Sequence, residues 1–388
     1  MQRKSIYRFF DRFFGIPILS VLAFFLKRKK VYPPNKIKNI LIIKFAAIGD
    51  IILMIPMLRS LKYKYPDAKI TFLCTQINYG MVKRVKYIDE IINYNIYSSI
   101  AKPFGFLKFL RSMRKNVYDI IIDAEQWPRI SAILTILFRK KYSIGFKFEK
   151  QHRHSYYNAY TQHTNKRHEV ENFLALAELI GINAVEAVKE LEFNLNKDAL
   201  NFAEQFWKEN NLHGKFVICM QPGSGTNGYA REWKDENYIG LGKKINLLKG
   251  KVVFLLTGLK DDIERCNNIC KNIGDNAINI SGTYDMDRDL AIIKKSNLMI
   301  CGNTGILHLA ASIKTKTIGL HGPNNPVLWG AYDKNAIVVK SDAFCSPCLH
   351  MGHEFGCKIP FCMDRITIDE VYEKVIGVLT ADGFYKPG

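Results

Sequence analysis

Three stretches far apart in the chain hold residue types that could do chemistry. The first is "KFAAIGDIIL", residues 44–53, in which Asp50 follows an apolar run and a glycine and precedes more apolar residues. That spacing puts Asp50 at the N-cap of a helix starting near Ile51, where an aspartate contributes about 1 kcal/mol by accepting backbone N–H bonds. The same carboxylate could serve as a general base, taking the proton of a hydroxyl as that hydroxyl attacks an electrophile. The two roles coexist only where capping leaves the carboxylate unsaturated.

The second stretch is "QPGSGTNGYAREWK", residues 221–234, with Gly223, Gly225 and Gly228 beside the hydroxyls of Ser224 and Thr226. Such a loop can bring backbone N–H groups up to a phosphate, with Arg231 or Lys234 neutralising it. It matches neither the P-loop nor the dinucleotide fingerprint, and a plain surface turn reads equally well. The third is "CGNTGILHLAAS", residues 301–312: a strand ends at Cys301 or Gly302, Asn303 or Thr304 can cap, and Gly305 allows close approach at a helix start. A helix N-terminus there is a natural pyrophosphate seat. His308, one turn in, could bond a phosphate oxygen; the plainer alternative is a cap followed by a core histidine.

Cys345, Cys348, Cys357 and Cys362, with His350 and His353 among them, match a tetrahedral zinc site imperfectly, because the second pair is spaced C-x4-C. Reduced, packed thiols are the favoured reading, and no metal is expected. "DMD", residues 285–287, has the form of metal-dependent sugar-nucleotide enzymes but precedes the helical "RDLAIIKKS". Acidic residues complementing a helix dipole are explanation enough.

The elements that must position these residues follow from periodicity. "IKNILIIKF", "AKITFLC", "YDIIIDA" and "KYSIGF" read as strands with amphipathic segments between them, which predicts a parallel sheet covered on both faces. After helical stretches at "VENFLALAELIGI" and "NKDALNFAEQFWKENN" the alternation restarts with "KFVICMQP", "KVVFLLTG", "NAINISG", "NLMICGN" and "TKTIGLHGP". The expected architecture is α/β: two Rossmann-like domains, at 37–205 and 206–388, facing a central cleft, with "ITIDEVYEKVIGVL" as a closing helix. In such sheets ligands sit beyond the C-terminal strand ends, where all three stretches fall.

The chain carries 56 Lys plus Arg against 36 Asp plus Glu, a net charge of +20 that implies an anionic partner. Residues 1–44 hold eleven of the basic residues and one acidic one, so half of the net charge falls in about a ninth of the chain, most of it ahead of the two domains. That argues against a nucleic-acid partner. "FFGIPILSVLAFFL", residues 13–26, lies between basic flanks. As a helix it would be about 21 Å long, short of the roughly 30 Å hydrocarbon core, and no small-residue cleavage site follows it. Residues 1–36 are therefore expected to form an amphipathic extension lying on a membrane surface, with packing on the protein's own core and a true span as the alternatives. Nine cysteines at uneven spacing suit a reducing compartment.

In this order the motifs make the chain resemble the family 9 glycosyltransferases, the ADP-heptose:lipopolysaccharide heptosyltransferase family, from about residue 38 to about 365. "ILIIKFAAIGDIILMIPMLRSLKYKYPDAKITFL", "YDIIIDAEQ", "YSIGF", "RHEVENFLALAELIGI", "PGSGTNGYAREWKDENYIGL" and "NTGILHLAASIKTKTIGLHGP" carry the resemblance. It implies a GT-B fold, with the acceptor held mainly by the first domain and the nucleotide-sugar by the second, and inverting transfer without metal or other cofactor. Asp50 would be the base. Ser224, Thr226, Arg231, Asn303, Thr304, Gly305 and His308 would hold the donor, with ADP-heptose implied. The acceptor would be a lipid-linked anionic saccharide of the lipopolysaccharide core, met at the cytoplasmic face of the inner membrane by a peripheral enzyme. Arg59 and Lys62, after Asp50, could face that acceptor or simply be solvated. Asn303 departs from the family's usual Asp, which leaves open a different nucleotide-sugar; a non-catalytic, basic membrane-binding protein is the alternative of another class.

Overall fold

The computed structural model describes residues 11, 13, 15–25, 31–96, 103–148, 151–225, 228–248, 251–349, 357 and 359–386. The chain divides into two compact units, Met1–Lys189 and Glu190–Gly388.

In the first unit the strands are β1 (Asn39–Ile43), β2 (Lys69–Cys74), β3 (Glu90–Asn93), β4 (Tyr118–Asp123), β5 (Lys140–Lys147) and β6 (Ala159–Gln162). They form one parallel sheet in the order β3-β2-β1-β4-β5-β6, with Ile40 opposite both Ile70 and Ile120. The central strands are buried along almost their whole length, which is why they read as continuous Ile and Leu runs rather than alternating ones. The edge strands β3 and β6 lack such runs and are at most half-buried, so their sequences did not announce them.

The second unit repeats the plan with β7 (Phe216–Gln221), β8 (Val252–Leu256), β9 (Ala277–Asn279), β10 (Leu298–Gly302), β11 (Lys316–His321) and β12 (Ala336–Lys340), ordered β12-β11-β10-β7-β8-β9. Strand β12 is another edge whose pattern was too polar to stand out. Counting strands within each unit, both sheets have the same order, that of a doubly wound Rossmann sheet. Its topological switch point lies between the first and fourth strands, here β1 and β4 in one unit and β7 and β10 in the other.

The helix Lys197–Glu209 lies in the second unit and packs Phe202 and Phe206 edge-on against Tyr284, just ahead of the helix Met286–Lys295. The closing helix Ile368–Ala381 starts with a capping box between Thr367 and Glu370 and buries Val371, Val375 and Leu379 in the second unit's core. Near the N-terminus, the helix Gly15–Phe25 packs Leu19 against Ala132 and Tyr157, while Gly15 lies so close to Arg129 that a Cβ would come within 3.0 Å of its side chain. Phe13, Ile18 and Val21 remain exposed on this segment. Among the described residues no helix is long and apolar enough to cross a membrane.

Candidate functional site

In the first unit the site residues come from the loops after β1 and β4, the switch point. The helix carrying Asp50 runs Ile48–Leu53 with Ala47 as its N-cap, so Asp50 lies inside the first turn and the expected capping role is not the one it fills. Its carboxylate turns instead to Lys44, the residue that follows β1: Lys44 Nζ stands 2.7 Å from Asp50 Oδ2. Gln126 Nε2 also approaches Oδ2, at 3.3 Å. Oδ1 has no partner among the described residues.

Lys44 is 1 % exposed, so its charge must be met internally. Besides Asp50 it faces Glu125 Oε2 at 3.5 Å and donates to Gln126 Oε1. Burial works against the charged lysine, but Asp50 and then Glu125 outweigh it, and its pKa is raised. Glu125 is fixed by its other oxygen, which accepts from the amides of Phe45 and Ala46. Burial pushes the Glu125 pKa up, against the pull of Lys44 and the Phe45 amide. Gln126 Nε2 reaches on to Glu169 Oε1 at 2.8 Å, and Glu169 is completed by His163 at 2.7 Å and Asn172 at 3.0 Å. Burial would raise the Glu169 pKa; His163 and the hydrogen bonds outweigh it and hold it low.

The loop that presents Glu125 and Gln126 is anchored from below. Asp123, at the end of β4, takes Arg153 at 2.8 Å, Ser131 at 2.9 Å and the Tyr157 hydroxyl, all fully buried. Arg153 also donates to the Glu125 carbonyl at 2.8 Å. Gly145 makes room for this: a Cβ there would sit 2.3 Å from the Tyr157 ring. Lys44, Glu125, Gln126 and Glu169 were not singled out in the sequence. "DAEQ" at the C-terminal end of β4 is the signal that could have found two of them. Lys62 pairs with Asp89 at 2.8 Å and is committed there.

In the second unit the loops after β7 and β10 meet at the corresponding switch point. The contact is close: a Cβ on Gly302 would lie 2.4 Å from the Arg231 carbonyl oxygen. Arg231 closes a short 3-10 turn, Tyr229–Arg231. Ser224 gives both its amide, at 3.0 Å, and its hydroxyl, at 2.7 Å, to Glu232, which is held in turn by Arg265 at 2.7 Å. Its hydroxyl is thus spent on shaping the loop. Thr226 lies outside the described residues.

After β10, Thr304 is the N-cap of the helix Gly305–Ser312, yet its hydroxyl caps no amide, is buried and has no partner among the described residues. Asn303 is buried, and its side-chain amide donates to the carbonyl of Trp329. His308 is 4 % exposed. One further residue belongs with these: His321, at the end of β11, is buried with neither ring nitrogen bonded among the described residues, and burial pushes its pKa down to about 4.

Cys345, Cys348, Cys357 and Cys362 line one apolar pocket together with Ala230, the neighbour of Arg231. Burial, followed by the other three thiols, pushes Cys362 up to about 11. Among the described residues no group of three Cys, His, Asp or Glu side chains is arranged to hold a metal ion; His350 and His353 lie outside them. Asp285 caps the helix Met286–Lys295 through the amides of Asp287 and Arg288, as the helix-start reading of "DMD" expects.

The profile of glycosyltransferase family 9 (heptosyltransferase) matches residues 106–359. The lipopolysaccharide core heptosyltransferase OpsX of Haemophilus influenzae is 22% identical over 298 residues, 76% of this chain and 82% of that protein. Among solved structures, the family 9 glycosyltransferase of Veillonella parvula superposes with a TM-score of 0.72 at 20% identity, covering 91% of this chain and 100% of that one. The heptosyltransferase WaaC of E. coli with ADP gives a TM-score of 0.66 at 17% identity over 88% of this chain and 99% of its own.

Proposed function

The chain belongs to glycosyltransferase family 9, the heptosyltransferase family, and from that premise we propose that it moves heptose from ADP-heptose onto a lipopolysaccharide-core acceptor. The first unit handles the acceptor and the second the nucleotide-sugar. Asp50 takes the proton of the acceptor hydroxyl through Oδ1 while the oxygen of that hydroxyl displaces the nucleotide in line, inverting the anomeric centre. The observation that carries this assignment is the one-sided hold on Asp50: among the described residues both contacts of its carboxylate fall on Oδ2, so the carboxylate is oriented without being saturated. Asp50→Asn keeps that shape and removes the basicity. Folded protein with this change is expected to lose transfer by a factor on the order of 10² or more; near wild-type turnover would end the assignment.

On the donor side, the leaving diphosphate gathers charge as the glycosidic bond breaks. Arg231, the amides that open the helix Gly305–Ser312 and the Thr304 hydroxyl are the groups to meet it, with His308 assisting. Buried polar atoms are normally bonded, so the Thr304 hydroxyl and His321 ring, without partners among the described residues, are best accounted for by a polar ligand. With these cations and dipoles supplied by the chain, transfer is expected to persist in chelator. An adenine nucleotide is supported by the WaaC complex with ADP, and Asn303 does not count against it, because its amide is accounted for by the bond to Trp329.

The enzyme meets its lipid-linked acceptor as a peripheral protein on the cytoplasmic face of the membrane. What supports this is the helix Gly15–Phe25: Leu19 is spent on the protein's own core, while Ile18 and Val21 face outward in a segment whose flanks are strongly basic.

A further inference from the structure

The proton that reaches Asp50 changes the charge of a site that is almost sealed. Lys44 is buried, carries no solvent contact to speak of, and stands between two carboxylates at 2.7 and 3.5 Å. Once Asp50 is neutral, a lysine with no second partner would be left uncompensated in a dry interior. The geometry supplies that partner. Glu125 is held rigidly by the Phe45 and Ala46 amides through Oε1, and its Oε2 points at Lys44. Gln126 can hardly turn over, because its carbonyl takes Lys44 while its amide serves both Asp50 and Glu169.

We propose that Lys44 and Glu125 are positioning residues that exchange charge with the base: Lys44 pairs with Asp50 while Asp50 is ionised and passes to Glu125 when Asp50 takes the acceptor's proton. Gln126, braced by Glu169 and His163, keeps the two carboxylates apart as this happens. The inference rests on Asp50 being the base. In the step itself the acceptor O–H bond breaks, its proton goes to Asp50 Oδ1, its electron pair forms the bond to the anomeric carbon, and the diphosphate leaves with the electrons of the old bond. Lys44 gives up no proton; burial opposes its charge, but Asp50 and Glu125 hold its pKa above the usual value. The charged and titratable groups linked to Asp50 in this network are Lys44, Glu125, Glu169 and His163, on the β1 loop, the β4 loop, the helix Glu169–Glu178 and the segment after β6.

The test is the acid limb of kcat between pH 4 and 9. Glu125→Gln removes a negative charge that favours protonation of Asp50, so the limb should move down by about one pH unit, with kcat at neutral pH reduced several-fold and KM for either substrate little changed. Lys44→Met removes the cation that favours ionised Asp50, so the limb should move up. Opposite shifts are a signature that loss of packing alone does not produce. A limb that stays put in both variants, or moves the same way in both, overturns the proposal. Should Glu125→Gln or Lys44→Met not fold, Glu125→Asp, which keeps the charge but withdraws it from Lys44, must still move the limb away from its wild-type position, and no movement again overturns it. Asp50→Asn separates the two readings: if it abolishes transfer while the limb ignores Lys44 and Glu125, the base stands and the charge exchange falls.

Discussion

At position 303 a single atom decides what the residue can be. The Asn303 amide donates to the Trp329 carbonyl, and an ionised aspartate would set an oxygen against that oxygen. Asn303→Asp is therefore expected to lower stability by about 1–3 kcal/mol, read as a fall in Tm at neutral pH that narrows at acid pH as the carboxyl regains a proton. His321 gives a second test. Burial holds its folded pKa near 4, below the usual value of a free histidine, so its contribution is present above the unfolded pKa and lost as pH falls towards the folded one. Between about pH 6.5 and 4 the wild type should lose up to about 3 kcal/mol through this residue, and denaturant melts of His321→Leu should show a shallower decline over that window. Single residues were only partly legible. Asp50 stood out by its place after a strand and a glycine, but its partner Gln126 is 76 positions away, and no local pattern announces a contact closed only by folding.

Elements were more legible where burial is two-sided. The runs that became β1, β4, β7 and β10 are apolar because helices cover both faces of a parallel sheet, and the same physics places the loops after them at the switch points. The edge strands β3, β6 and β12 escaped notice since water reaches one side of them. The helix Gly15–Phe25 was expected to lie on a membrane, with packing on the protein's own core as an alternative, and Leu19 does pack on Ala132 and Tyr157. Its two faces can be tested separately. Leu19→Ala should cost about 2–5 kcal/mol of stability in the first unit. Ile18→Asp with Val21→Asp should leave melting and transfer to a soluble acceptor near wild type while abolishing sedimentation with anionic vesicles; vesicle binding that survives would place the membrane contact elsewhere.

For the molecule as a whole, half of the net positive charge lies in the first 44 residues, about a ninth of the chain. Binding to anionic vesicles should therefore weaken between about 0.05 and 0.5 M salt, as the screening length shrinks from well above 10 Å to well below it, while transfer to a soluble acceptor responds far less. The two-sheet plan was legible from the restart of the strand series, and the resemblance to glycosyltransferase family 9 from motifs that are each weak but fall in order. The identical strand order of the two units has a consequence of its own. Each sheet offers its own crevice at its own switch point and owes its shape to its own core. Heredity can then edit one crevice and spare the other. On the proposed division of donor and acceptor between the units, a lineage could change the nucleotide or sugar it accepts through the loops after β7 and β10 while its hold on the acceptor is inherited intact, or the reverse, and new linkages would arise by recombining halves rather than by rebuilding an enzyme.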